Sequence, residues 1–359
     1  IALAVTAGLI LWDRARRSRR AKASATETET PPTVTVIMPV YNEAAHIARA
    51  LRAVLNQDYP PDRVDVLIVD GGSGDGTLDI VRAVAGDDPR VRILHNPART
   101  QAHGLNLGIA AAQGDIIVRV DGRAIVAPDY VRRCVHHLNA TGAEHVGGPQ
   151  RAAGQTPLGR AIAAAYRSPF GVPSRFTTSA RAGFVDTVYL GAWPRAIFAR
   201  VGGFNTDLIA NEDYEHNTRI RKAGGRVFLT PDIRSEYICR QTLGGLARQF
   251  FRYGRGKCQM LMRHPRSARP RHLVAPAFVA ALAGGALLAP LNRAAARLWG
   301  AILAAYALAS AGASLAAARR AGWSHLPRLP LIFAAMHLAW GVGFWIECGR
   351  QLAAGRSRR

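Results

Sequence analysis

A few carboxylates are placed where they could do chemistry in this 359-residue chain. In DIIVRVDGRAIV (115–126) an apolar run stops at Asp121, and in IVDGGSGDGTLDI (68–80) another stops at Asp70. An acid that ends a buried strand projects from the rim of a sheet. There it can accept a hydrogen bond from a nucleobase N–H or face a cation that carries phosphate. Such cation sites usually have a second acid two residues later. Here that position is Arg123, which cannot be a metal ligand. In NEDYEHNTRIRK, Glu212, Asp213 and Glu215 open a helix. Three acids in four residues stand out there, although an acidic first turn that complements the helix dipole accounts for the same residues. VIMPVYNE (36–43) stops a strand at Pro39 and presents Tyr41 and Glu43, with Asn42 as a possible N-cap. In TQAHGLNLGIAAAQGD (100–115), Asn106 and its small neighbours allow either close approach of a nucleotide or ordinary helix packing. RQFFRYGRG (248–256) groups Gln249, Arg252 and Tyr253.

The elements that must hold these residues alternate. Strands are expected at 34–38, 64–69, 91–94 and 116–120, and helices at 44–56, 77–85, 101–112 and 128–139. Strands this apolar are buried on both faces, so the fold class is α/β with a mostly parallel sheet between helices. Ligands of such sheets bind at the carboxyl ends of the strands.

Lys+Arg number 47 against Asp+Glu 24, a formal charge of +23. The charge is dense at 13–22, 263–272 and 355–359, beside apolar runs, which fits membrane edges and not a groove for nucleic acid. The isolated Cys134, Cys239, Cys258 and Cys348 form no zinc or disulfide framework. The expected organisation is an apolar segment with a basic flank (1–20), a polar linker (21–33), a catalytic domain (34–260), a membrane region of about three apolar helices (273–348) and a basic tail (349–359). The apolar runs 273–291, 298–318 and 329–346 contain no Asp, Glu, Lys or Arg. Basic residues at 14–20 and 263–271 border the domain and place it on the cytoplasmic side of the cell membrane. Three crossings would then put Arg350 and the tail outside, against the positive-inside rule, so one run must be re-entrant or interfacial or the tail breaks the rule.

Taken in order, the motifs resemble the inverting glycosyltransferases of family 2, which have the GT-A nucleotide-diphospho-sugar fold, and within them the membrane-attached exopolysaccharide enzymes of succinoglycan type. The resemblance covers about residues 33–257. It implies that Pro39, Tyr41, Glu43 and Asp70 hold the uridine of a UDP-sugar, with Asn106 close by. Asp121 corresponds to the first acid of the family's DxD element, near ribose and a diphosphate-bound Mg²⁺ or Mn²⁺. Asp213 matches the general base. Gln249, Arg252 and Tyr253 resemble a Q-x-x-R-W element, with Tyr in place of Trp, and together with Glu212 would meet the acceptor or the diphosphate. Arg123 leaves three possibilities: water completes the metal shell, another acid or His does, or Arg123 itself neutralises the diphosphate. The implied acceptor is a lipid-linked saccharide at the membrane. The alternatives are a polyprenyl-phosphate hexose synthase and a basic membrane-anchored binding protein. Within GFVDTVYLGAWPRAIF (183–198), Trp193 could stack on a sugar or fill the core.

Overall fold

The computed structural model describes residues 30–172, 174–178 and 181–356. The expected apolar segment at 1–20 and most of the linker lie outside these residues. Period-two burial builds the first half: β1 (Val34–Val40), α1 (Ile47–Leu55), β2 (Val64–Asp70), α2 (Thr77–Ala85), β3 (Val91–His95), α3 (Gln101–Ala111) and β4 (Ile116–Arg119). Val34, Val36, Met38, Val66, Ile68 and Val118 enter one apolar layer, while Ile37, Leu67, Val69 and Ile117 enter the layer on the opposite face. Pairing is parallel, with Val34 opposite both Val64 and Ile116, so Asp70 ends opposite Val40 at one rim.

The chain continues as β5 (Ala124–Val126), α4 (Tyr130–Thr141), β6 (His145–Gly148), β7 (Arg151–Ala153), α5 (Pro157–Tyr166), α6 (Arg175–Thr178), β8 (Gly183–Phe184), β9 (Tyr189–Pro194), α7 (Ala196–Val201), α8 (Glu212–Lys222), β10 (Val227–Leu229), β11 (Ser235–Ile238) and α9 (Leu243–Arg263). The large sheet has the order β3-β2-β1-β4-β9-β6-β10-β8, and β5-β11-β7 form a small one. Only β9 and β8 run against the other strands of the large sheet. Trp193 on β9 is a core residue: it is 2% exposed and stacks on His145 at 3.9 Å.

Three apolar helices follow: α10 (Val274–Leu288), α11 (Arg293–Ala321) and α12 (Leu329–Arg356). Two are long enough to cross a membrane; α10, with 15 residues, rises only about 22 Å. On α12, Leu329, Ile332, Phe333, Met336, Phe344 and Glu347 form one buried stripe, and Leu331, Leu338, Val342, Trp345 and Leu352 lie exposed on the opposite face. The stripe packs on α5 and along α9. Backbones meet where a Cβ on Gly254 would stand 1.9 Å from the Trp340 carbonyl oxygen.

Candidate active site

Each motif reaches the same rim through its strand. Beyond β1, Asn42 turns left-handed (φ 53°). It ties two loops together: its amide donates to Ser73 Oγ (2.9 Å), and its Oδ1 accepts from the Gly74 amide (3.0 Å). Asn42 is therefore a loop staple and not the expected N-cap, since α1 begins at Ile47. Pro39, Tyr41 and Glu43 line a cleft of about 1300 Å³. Asp70 stands behind its wall. It is 2% exposed, and its carboxylate accepts from the Gly72 amide (2.9 Å), the Ser73 amide (3.0 Å) and Ser73 Oγ (2.6 Å). Asn106, expected beside the nucleotide, is placed elsewhere: its amide exchanges two hydrogen bonds with the backbone of Phe204, at 2.8 and 2.7 Å. Its polar atoms clamp the Phe204 loop, and Asn106 is not among the residues that line the cleft.

Asp121 lines the cleft, and its Oδ1 accepts from Arg119 Nε (2.8 Å) and Gln101 Nε2 (3.1 Å). Arg119 is buried and also lies 3.6 Å from Glu212, so one guanidinium joins the end of β4 to the start of α8. Arg123 donates from Nε and Nη2 to Glu43 Oε1, which commits it to that carboxylate. Burial raises the Glu43 pKa more than the Arg123 charge lowers it, and Glu43 Oε2 is buried without a hydrogen-bond partner.

α8 opens from Asn211, also left-handed (φ 68°), whose Nδ2 donates to the Tyr253 carbonyl (3.2 Å). Glu212 is buried and its pKa is raised, by burial first and then by the charge of Asp213. Asp213 faces the cleft and accepts a bond from the amide of Tyr214 (2.7 Å). On α9, Gln249 Nε2 donates to the hydroxyls of Tyr237 and Tyr253, both at 2.7 Å, while Arg252 stands exposed on the cleft wall. Among the described residues, the left-handed non-glycines are Asn42, Arg99, Leu190 and Asn211, and all four line this cleft. Backbone cost of that kind concentrates at functional sites.

Sequence reasoning missed Arg119, Gln101, Tyr237 and Lys257. Arg119 had a readable signal, a charge inside an otherwise apolar strand. Lys257 follows Gln249 and Tyr253 at helical spacing.

The sequence signature of Glycosyl transferase family 2 matches residues 35–189. Over 325 residues the chain is 34% identical to the succinoglycan biosynthesis protein ExoA of Rhizobium meliloti (strain 1021), spanning 89% of this chain and 96% of that protein. The chain belongs to glycosyltransferase family 2. This glycosyltransferase is also 32% identical over 234 residues to glycosyltransferase AglE of Haloferax volcanii, covering 65% of this chain and 75% of that one. In structure it is similar to the mannosyltransferase PcManGT from Pyrobaculum calidifontis, solved in complex with GDP-Man and Mn²⁺ (TM-score 0.58, 25% identity, 91% of this chain and 93% of that one). The GT-A fold expected from the motifs is the fold observed.

The glycosyltransferase has no group of three His, Cys, Asp or Glu placed to hold a metal among its described residues. It offers one cleft-facing carboxylate at the end of β4, Asp121. That donor set fits a hard cation which takes most of its oxygens from a substrate diphosphate and water, and does not fit an all-protein cage.

Proposed function

We propose that this glycosyltransferase moves a hexose from a nucleoside-diphospho-sugar, UDP-linked, to a lipid-linked saccharide with inversion at the anomeric carbon. It works at the cytoplasmic face of the cell membrane, in assembly of a surface or extracellular polysaccharide. One observation carries the reading. A single cleft is lined both by the strand-end motifs and by Phe278, Tyr306, Met336 and Trp340 of the apolar helices. A polar donor of nucleobase, diphosphate and sugar suits the motif-lined part, and a lipid-borne acceptor suits the apolar part. The relatives' names support the same direction. One is a succinoglycan biosynthesis protein. Another, 27% identical over 236 residues, is a Methanococcus voltae glucuronosyltransferase named for a dolichyl N-acetyl-glucosaminyl phosphate acceptor. The GDP-Man in the PcManGT complex favours a second donor reading, GDP-mannose.

In the reaction, Asp213 takes the proton of an acceptor hydroxyl. That oxygen forms a bond to the anomeric carbon from the face opposite the leaving group, and the bond between this carbon and the β-phosphate oxygen breaks. The nucleoside diphosphate leaves with the electron pair. When bound, Mg²⁺ or Mn²⁺ supplies positive charge against the departing diphosphate, and Asp121 is the carboxylate that would hold it. Arg119 holds Asp121 and Glu212 in fixed relation. Arg123 balances Glu43 beside the nucleotide loop, and Arg240 and Arg252 add positive charge to the cleft wall.

Membranes containing the protein are incubated with labelled UDP-hexoses, GDP-mannose and a lipid-linked saccharide extract. Label should enter the lipid fraction from one donor. No transfer from any donor by folded protein rejects the proposal. Asp213→Asn should lower turnover by about 10²- to 10⁴-fold and leave nucleotide affinity within twofold. Equal loss of both would remove Asp213 from the role of base.

A further inference from the structure

The transfer chemistry leaves Lys257 without a task. It sits two turns along α9 from Gln249, on the face that carries Tyr253, and it lines the cleft while only 6% exposed. Its ammonium rests over the Tyr214 ring, 3.8 Å from the centroid, and has no hydrogen-bond or ion-pair partner among the described residues. Tyr214 directly follows Asp213, so this cation stands beside the base. Around it are Arg271, paired with Asp186, and His272, whose ring meets Tyr214 edge-on at 5.6 Å. Immediately after them Val274, Ala275 and Phe278 of α10 begin the apolar wall of the same cleft.

Lys257 feels the charges of Asp213 and Asp186 but is bonded to neither, and a buried ammonium without a direct partner is unfavourable until an anion arrives. The donor's diphosphate belongs near Asp121 and the β1 and β2 loops. Lys257 lies instead past Asp213, at the seam between the base and the apolar wall. We propose that Lys257, with Arg271 beside it, takes the phosphate that joins the acceptor saccharide to its lipid, and that the first part of the lipid chain lies along Phe278, Met336 and Trp340. This assignment rests on the reading of a lipid-linked acceptor.

The test is direct binding to the full chain in detergent with the donor half saturated by UDP or GDP. The probes are geranylgeranyl diphosphate and geranylgeraniol, followed by calorimetry. The wild type should prefer the diphosphate. Lys257→Met should weaken that ligand roughly tenfold to a hundredfold, leave the alcohol unchanged and leave nucleotide affinity unchanged, while Lys257→Arg keeps most of the preference. If Lys257→Met binds the diphosphate as the wild type does, the assignment fails and the lipid-acceptor reading stands. Loss of nucleotide affinity instead would transfer the lysine to the donor and also overturn it. If the wild type binds neither probe, both readings fall. Should Lys257→Met not fold, Lys257→Gln replaces it, and absence of a diphosphate preference in the wild type alone is sufficient to reject the assignment.

Discussion

Asp121 has an arginine two residues before it and another two residues after it, and the two do different work. Arg119 pairs with Asp121 itself, and Arg123 crosses to Glu43, so neither is a spare cation for a diphosphate. The position where a second metal-binding acid is usual thus holds the counter-ion of Glu43, whose carboxyl burial would otherwise leave uncompensated. Arg123→Asp should cost about 3 kcal/mol, because it removes one partner of a buried pair and adds a second acid. Mn²⁺ should recover part of the lost thermal midpoint in this variant and change the wild type little. A variant melt indifferent to Mn²⁺ would end that account. Lys257 gives a pH prediction. Burial lowers it to about 8, Asp213 and Asp186 act to raise it and Arg271 to lower it, while His272 is pushed down to about 3 and stays neutral. The ammonium is therefore charged below about 8 and loses its charge as pH rises through that value. The acceptor KM of the wild type should climb above pH 8, and that of Lys257→Arg should stay level. Parallel profiles would assign the titration to another group. At this scale the sequence was legible wherever an acid ended an apolar run, as at Asp121. What a local pattern does not show is how polar side chains are tied down: Asp70 accepts from the Gly72 and Ser73 amides of its own turn, and Asn106 bonds the backbone of Phe204, far along the chain.

β1, β2 and β4 could be read almost to the residue, since burial on both faces leaves a nearly unbroken apolar run bounded by turn residues, while β3, at the sheet edge and partly exposed along its length, is legible from its flanking turns. β9 could not be placed. Its sequence is apolar too, but its antiparallel seat between β4 and β6 depends on long-range pairing that no local pattern encodes. The short strands β5, β7 and β11 escaped for a similar reason, having three or four residues each. The presentation of Asp213 is also an element-scale property. The loop before α8 is held by α9, where Gln259 Oε1 accepts from the Ile209 amide at 3.0 Å and Gly256 sits against the Ala210 backbone. A Cβ at Gly256 would lie 2.4 Å from the Ala210 carbonyl oxygen, so the loop must move if one is added. Gly256→Ala should cost about 1–3 kcal/mol and displace the base enough to lower kcat by about 100-fold, with donor KM little changed. An unchanged kcat in a destabilised variant would show that this contact serves stability alone.

At the scale of the whole molecule, the arrangement of the apolar helices bears on how the enzyme meets the membrane. Counting three crossings from the sequence left the basic tail on the wrong side. The structure offers a different geometry. The turn Trp323–His325 between α11 and α12 packs on α5 of the catalytic domain, and α12 then lies along α9 as far as Glu347, which pairs with Arg255 at 2.8 Å. By length and composition α12 is able to cross a membrane; because both of its ends rest on the catalytic domain, we propose that it lies along the membrane instead of carrying the chain across about 30 Å of hydrocarbon. Its outward face, with Leu331, Leu338, Val342, Trp345 and Leu352, suits a helix lying within one leaflet. The connecting turn, Arg350 and the domain then share a side, and the charge conflict disappears. Ser324→Cys, labelled with a membrane-impermeant maleimide, decides between the geometries. Of the native thiols, Cys134, Cys239 and Cys258 are buried and Cys348 is half-buried, so unsubstituted protein gives the background. With the catalytic domain on the cytoplasmic side, as proposed, inside-out vesicles should label at position 324, and right-side-out vesicles should not. Labelling only from the far side would mean that α11 and α12 form a crossing hairpin and that their packing on the catalytic domain does not survive in the bilayer.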